Sequence, residues 1–313
     1  MMTQLAFMLL NTLFVLLIAP LFISVIKKVK AFCQRRQGPP VLQTYYNLVK
    51  LFQKETIYST NASFIMRVTP YLNMGAVLTA SLSVPLLFIP PSLGLLGNVM
   101  LFLYLLALAK FFMALGGLDA ASTFGGMGSS REMALSATFE PVIVIVFAAL
   151  AFVFNTTDLH QMFAQSGDTL LLLKHPSLFL TGLSLFIILI VETARIPMDN
   201  PETHLELTMV HEAMILEQAG PNLALLEWSH AIKQTLLMAV LLNVLLPTGL
   251  PPQFALLNIP LAGVLFVVKG LVLCVVVGVF ESLLAKFRFF RLPSLFMMAF
   301  FFSFLTIILE VFL

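Results

Sequence analysis

The chain has 313 residues, 60% of them hydrophobic and only 10% charged, with a mean hydropathy of +1.01. This mix excludes an ordinary soluble globular domain, and a formal net charge of +2 gives no basis for nucleic-acid binding. Two cysteines, Cys33 and Cys274, cannot build a four-ligand metal site, so no metal and no iron–sulfur cluster is expected in this chain.

Apolar runs of about 18 to 25 residues, each sufficient to cross a hydrocarbon core of roughly 30 Å as a helix, recur along the whole length. About eight are expected, with cores at 5–26, 72–89, 99–115, 134–154, 178–191, 235–250, 261–280 and 295–313. The expected fold is therefore all-α: one polytopic membrane domain over residues 1–313, with amphipathic helices in its cytoplasmic loops. The first run lacks a basic leader and a cleavage site, and Lys27, Lys28 and Lys30 follow it, so it reads as a retained helix. Basic residues crowd the loops after the first, third, fifth and seventh runs, which predicts that those loops are cytoplasmic and both termini are not.

The first loop joins a basic stretch, a Gly-Pro-Pro break and a helix in which Leu42, Tyr45, Tyr46, Val49 and Phe52 recur at helical spacing. Two readings stay open here: a helix lying on the lipid surface, or a docking segment in which Arg35 and Arg36 hold a soluble partner subunit. The second loop, FFMALGGLDAASTFGGMGSSREMALS, is so rich in Gly and Ser that a continuous helix is not expected. In it, Arg131 and Glu132 follow two serines at a predicted helix start, where Glu132 would suit the helix dipole. Glu140 lies about two turns into the fourth span, followed by Pro141, and an intramembrane carboxylate is a functional candidate facing a bundle interior or a wet cavity.

The third loop, ETARIPMDNPETHLELTMVHEAMILE, places six carboxylates directly after an apolar run. Glu192 and Arg195 are spaced for an i,i+3 ion pair, and Glu202 and Glu206 fall on one helical face, where their repulsion would couple their titration. His204 and His211 add further proton-sharing groups. The opposing reading is an amphipathic surface helix with solvated acids, Glu212 among them. Lys269, inside the seventh span, is a costly charge that requires a partner, for which a buried Glu is the expectation, with snorkelling as the alternative. Lys110 is expected to snorkel. No P-loop, GxGxxG, HExxH or inverted repeat is present, and no catalytic residue is predicted.

Four segments, RRQGPPVLQ with KLFQKE, GLDAASTFGGMGSSRE, FEP and ETARIPMDNPETHLEL, together resemble membrane subunit 1 of respiratory complex I (NADH:quinone oxidoreductase) and its counterparts in group 4 NiFe hydrogenases and formate hydrogenlyases. GPP passes straight into VLQTYY, and Gln218 follows Glu217 where complex I members carry Tyr; both departures favour the hydrogenase branch. The resemblance implies a non-catalytic subunit that carries no cofactor, binds hydrogenase-like large and small subunits holding the NiFe centre and iron–sulfur clusters, and joins them to antiporter-like membrane subunits in the cell membrane. It implies an acidic path for protons or sodium ions through Glu140, Glu192, Glu202, Glu206 and Glu217, to which Lys269 is added. Arg35, Arg36, Asp119, Arg131, Arg195 and Asp199 fall to the partner-subunit interface. The alternatives are a quinone-site subunit of complex I and, against the missing inverted repeats, a stand-alone secondary transporter.

Overall fold

A computed structural model describes residues 2–90, 94–165, 175–199, 209–251 and 258–312. Eleven α-helices are seen among them: α1 (Met2–Cys33), α2 (Gln43–Phe52), α3 (Phe64–Ser81), α4 (Val99–Asp119), α5 (Thr123–Phe154), α6 (Leu159–Gln165), α7 (Ser177–Glu192), α8 (His211–Ile215), α9 (Gly220–Leu245), α10 (Asn258–Leu283) and α11 (Leu292–Phe312). Five helical segments are long and apolar enough to cross a membrane: Ala6–Cys33, Val99–Asp119, Thr123–Phe154, Asn258–Leu283 and Phe289–Phe312. The other three expected spans fall on α3, α7 and α9, of which α7 has only 16 residues. The chain is a multi-pass, all-α membrane protein.

Helix α9 is the axis of the bundle. Every residue from Gln234 to Val244 is buried, and α9 packs against α1, α2, α3 and α7. A helix apolar on all sides belongs in the middle of a core. Around it, α3 packs on α4, α4 on α5, α5 and α7 on α11, and α10 on α1.

Three boundaries depart from expectation. Helix α5 begins at Thr123, so GGMGSS is helical, because its glycines are contact points rather than breaks. A Cβ on Gly128 would stand 2.8 Å from Ala213 Cβ and 2.9 Å from Val210 O, so the bare backbone lets the 210–214 segment lie directly on α5. Helix α9 begins at Gly220 with Pro221 in its first turn, carrying Glu227, His230 and Lys233 inside the helix instead of in a loop. Helix α3 starts at Phe64 and ends at Ser81, short of the expected 89. The irregular backbone beyond it is buried yet satisfied: Asn11 Nδ2 donates to Ser81 O (2.8 Å) and Val84 O (3.1 Å), Leu86 N donates to Asn11 Oδ1 (3.1 Å), and Asn243 Nδ2 donates to Pro85 O (3.0 Å). Non-helical backbone inside a membrane domain is tolerated only with such partners.

Candidate functional site

Glu192 ends α7 and is the centre of the site. Lys110 of α4 donates to Oε1 at 2.6 Å, and Lys233 of α9 reaches Oε2 at 2.6 Å. The Glu192 side chain is 2% exposed and that of Lys110 8%. Lys110 therefore does not snorkel; it is spent on a buried carboxylate. A single carboxylate between two ammonium groups is the arrangement in which taking all three out of water becomes tolerable.

Arg195 does not pair with Glu192, and the reason lies in how α7 stops. Ala194 adopts a left-handed conformation (φ 46°), Ala194 N donates to Val191 O (3.1 Å), and Arg195 N donates to Ile190 O (3.0 Å). This is the Schellman termination, with Ala where Gly is usual. The turn removes the i,i+3 geometry and carries Arg195 to Glu281 of α10 (2.6 Å) and Gln234 of α9 (2.6 Å). Lys30 of α1 stands 3.9 Å from the other Glu281 oxygen.

His211 and His230 lie beside the triad, their rings tilted at 52° with centroids 4.6 Å apart. Burial, with the Lys233 ammonium adding to it, holds His211 down to about 4, so the imidazole is neutral near pH 7. Glu212, expected to be solvated, is partly buried; burial first, then the Glu227 carboxylate, pushes it up to about 7. Glu132, expected to sit at a helix start, is buried well inside α5 and lines the same cavity as Lys110, Glu192 and Lys233.

Three cavities run through these groups and share their walls. The first, 170 Å³, is bordered by Lys27, Lys30, Arg195, Glu212, Glu227 and Glu281. It shares Ala194, His211, Leu226 and His230 with a 30 Å³ cavity around the triad. That one shares Lys110 and Glu192 with a 90 Å³ cavity ending at Glu140. Hydrogen-bond-capable groups thus line three neighbouring spaces between the ends of α1 and α2 and the outer face of α4 and α5, each sharing wall residues with the next.

The remaining expected residues are placed as follows. Glu140 is exposed on that outer face rather than inside the bundle. Glu217 is exposed beyond α8, apart from the cluster. Among the described residues Lys269 has no carboxylate partner; its ammonium donates to Leu246 O (2.7 Å) and Thr248 O at the end of α9. Glu202 and Glu206 lie outside the described residues. Arg35 and Arg36 are exposed after α1. Asp119 accepts from Ser63 N (3.0 Å), Ser63 Oγ (2.7 Å) and Met66 N (2.9 Å), so it stabilises the positive N-terminal end of α3. Arg131 donates to Met209 O (3.0 Å). Asp199, expected at an interface, is buried; it accepts from Val210 N (2.9 Å) and pairs with Lys286 (2.6 Å), anchoring the third loop to the chain beyond α10.

Sequence reasoning gave no role to Lys110, Lys233, His230 and Glu227. The signal for the first is its depth, about two and a half turns before the end of α4; for the others it is the Gly220–Pro221 helix start, which moves them into a span. Among the described residues, no three His, Cys, Asp or Glu side chains converge as a metal ion would require.

A family model described as NADH dehydrogenase matches residues 5–311. Formate hydrogenlyase subunit 4 of Escherichia coli (strain K12) is 28% identical over 303 residues, covering 96% of each chain. Hydrogenase-4 component C of the same organism is 29% identical over 286 residues, 90% of this chain and 88% of that one. NADH-ubiquinone oxidoreductase chain 1 of Petunia hybrida is 28% identical over 251 residues, 75% of this chain and 72% of its own. In the solved structure of the membrane-bound sulfane sulfur reductase, an archaeal respiratory membrane complex, one chain shares this fold with a TM-score of 0.79 at 18% identity, covering 98% of this chain and 99% of that one.

Proposed function

Because the chain belongs to the NADH dehydrogenase family, that of complex I subunit 1, we propose that it is the ion-coupling membrane subunit of a hydrogenase-type redox complex. It is a membrane subunit that does its work inside a larger redox assembly. The hydrogenase branch is supported by the passage of GPP straight into VLQTYY, by Gln218 after Glu217, and by identity of 28% and 29% over 303 and 286 residues in the formate hydrogenlyase and hydrogenase-4 relatives.

The observation that carries the coupling role is the Lys110–Glu192–Lys233 triad with cavities on both sides of it that share its side chains as walls. A carboxylate shared by two ammonium groups responds to any charge change nearby, because low dielectric magnifies each Coulomb term. Neutral His211 and the His230 ring tilted against it line both the triad cavity and the first chamber, where the raised carboxyl of Glu212 also lies, so one proton can be held on several groups there. A redox event in a peripheral arm, bound at the Arg35–Arg36 loop on the cytoplasmic side, shifts that balance, and protons or sodium ions move through Glu192, Glu202, Glu206 and Glu140. The NiFe centre and iron–sulfur clusters belong to the partner subunits, and both termini face away from the cytoplasm of the cell membrane.

The reading is tested by isolating the tagged chain with its partners. A NiFe large subunit and a small iron–sulfur subunit are expected; a flavin-bearing NADH module would overturn the branch. In that complex, Glu206→Gln is expected to lower ion pumping more than electron transfer. Loss of both in equal proportion, with assembly intact, would remove the relay role.

A further inference from the structure

The end of the bundle where α7 starts, opposite Glu192 at which it stops, holds another buried imidazole. His160 lies in α6 with 2% of its side chain exposed, and Phe7 of α1 stands edge-on to its ring with centroids 5.7 Å apart. Its Nε2 is 3.1 Å from Leu82 O, a carbonyl that can only accept, so the proton of the neutral ring sits on Nε2. That bond fastens α6 to the turn after α3, where residues 83–90 are buried without being helical. Among the described residues Nδ1 has no hydrogen-bond partner, and the nearest charged atom, Asp158 Oδ1, is 3.8 Å away. The gap is held from two sides. Asp158 Oδ1 accepts from His160 N at 2.8 Å at the start of α6, and a Cβ on Gly97 would collide with that oxygen and stand 2.8 Å from Nδ1.

We infer that His160 is a proton-released pin: the neutral ring fastens α6 to the turn after α3, and protonation unfastens the two. In the neutral ring the unmet group is a lone pair. One added proton turns it into an unmet N–H on a buried cation, which costs more, and water serves that cation better than the packed site does. The Asp158 carboxylate offsets part of the cost, but its oxygen cannot close on Nδ1 without giving up the bond that starts α6. Burial accordingly holds His160 below its ordinary 6.5, against the opposing pull of Asp158 and of the Leu82 bond. The pin's contribution to stability is therefore complete above 6.5 and is lost as pH falls below it. Among the described residues no other charged group faces the ring. Helix α1 brings Phe7, the turn before α4 brings Gly97, the exit of α3 brings a carbonyl, and α5 has no ionisable residue between 141 and 154. His175 and Glu310, a second titratable pair at this end, join the start of α7 to the end of α11 (3.1 Å). The inference does not use the ion-coupling role.

The test is hydrogen exchange of the whole complex, read by mass spectrometry as protection relative to intrinsic exchange at each pH from about 8 to about 5. Peptides covering 82–90 and 156–165 are expected to lose protection by up to about tenfold per pH unit below the ordinary histidine value, while the interior of α5 keeps its own. His160→Gln, whose side-chain amide can donate to Leu82 O without titrating, is expected to abolish the loss, and His175→Gln to leave it as in the wild type. Asp158→Asn keeps an acceptor at the start of α6 but removes the carboxylate's pull, so the loss is expected to begin at lower pH. Protection that is flat with pH in the wild type, an equal loss in His160→Gln, or a loss abolished by His175→Gln would overturn the pin. An Asp158→Asn profile at unchanged or higher pH would do the same, and it decides alone if His160→Gln does not assemble.

Discussion

Glu192 and Lys269 are both ionisable groups carried by apolar helices, and the protein satisfies them in opposite ways. Glu192 is bonded by lysines from two other helices and opens onto cavities lined by further titratable groups. Among the described residues, Lys269 is bonded by the backbone carbonyls that end α9, where the negative end of that helix dipole lies. The first arrangement brings three ionisable groups from three helices together; the second sets one ionisable group against backbone carbonyls. Isolated charge inside an apolar bundle therefore does not identify a functional group by itself. What distinguishes the two is whether the partners can also titrate.

The largest effect expected from breaking this contrast is that of Glu192→Leu. It removes the carboxylate bonded to both Lys110 and Lys233, and breaking a buried pair in this way typically costs about 3–5 kcal/mol. Thermal unfolding of the purified complex reads this as a large drop in melting temperature, partly restored by adding Lys110→Met. No additional recovery in the double variant would mean that the triad is not an energetic unit.

The next effect is the pH response of the first chamber. His211 is depressed to about 4, so its contribution to stability is complete above the ordinary 6.5 and is lost as pH falls toward 4. Glu212 is raised to about 7, so its contribution is complete below the ordinary 4.5 and is lost as pH rises through 7. Stability is thus expected to fall on both sides of mildly acidic pH, and Glu212→Gln should flatten the alkaline limb in melting curves recorded from about pH 4 to pH 8. An unchanged alkaline limb would show that Glu212 titrates normally.

The smallest effect concerns the turn that separates Arg195 from Glu192. Ala194 holds a left-handed conformation that favours glycine, so Ala194→Gly is expected to stabilise the protein by about 1 kcal/mol, measured by the same melting assay. Destabilisation would imply that the Ala194 methyl group packs more tightly than its position requires.

Much of this was legible beforehand. Hydropathy locates the runs that form α1, α4, α7, α10 and α11, and the acids of the third loop single out Glu192. The failures share one physical cause, tertiary contact overriding local preference. Gly117 and Gly128 read as breakers, yet they lie in helices because the 210–214 segment needs their missing side chains. Glu192 and Arg195 read as a helical ion pair because nothing local forbids it; only the left-handed residue between them does. Lys110 read as a snorkelling lysine because its partner is 82 residues away in sequence. Pairings across helices are set by the packing of the bundle, which the spacing along one segment does not encode.

The central claim is that the charged centre around Glu192 couples redox chemistry to ion movement while the cation at Lys269 only secures a helix end. It is tested most directly by the number of ions translocated per electron pair in proteoliposomes containing the whole complex, compared between Lys110→Gln and Lys269→Met. The account predicts that Lys110→Gln lowers the ratio while electron transfer continues, and that Lys269→Met leaves the ratio at the wild-type value. Equal ratios in the two variants, or loss in Lys269→Met alone, would contradict it.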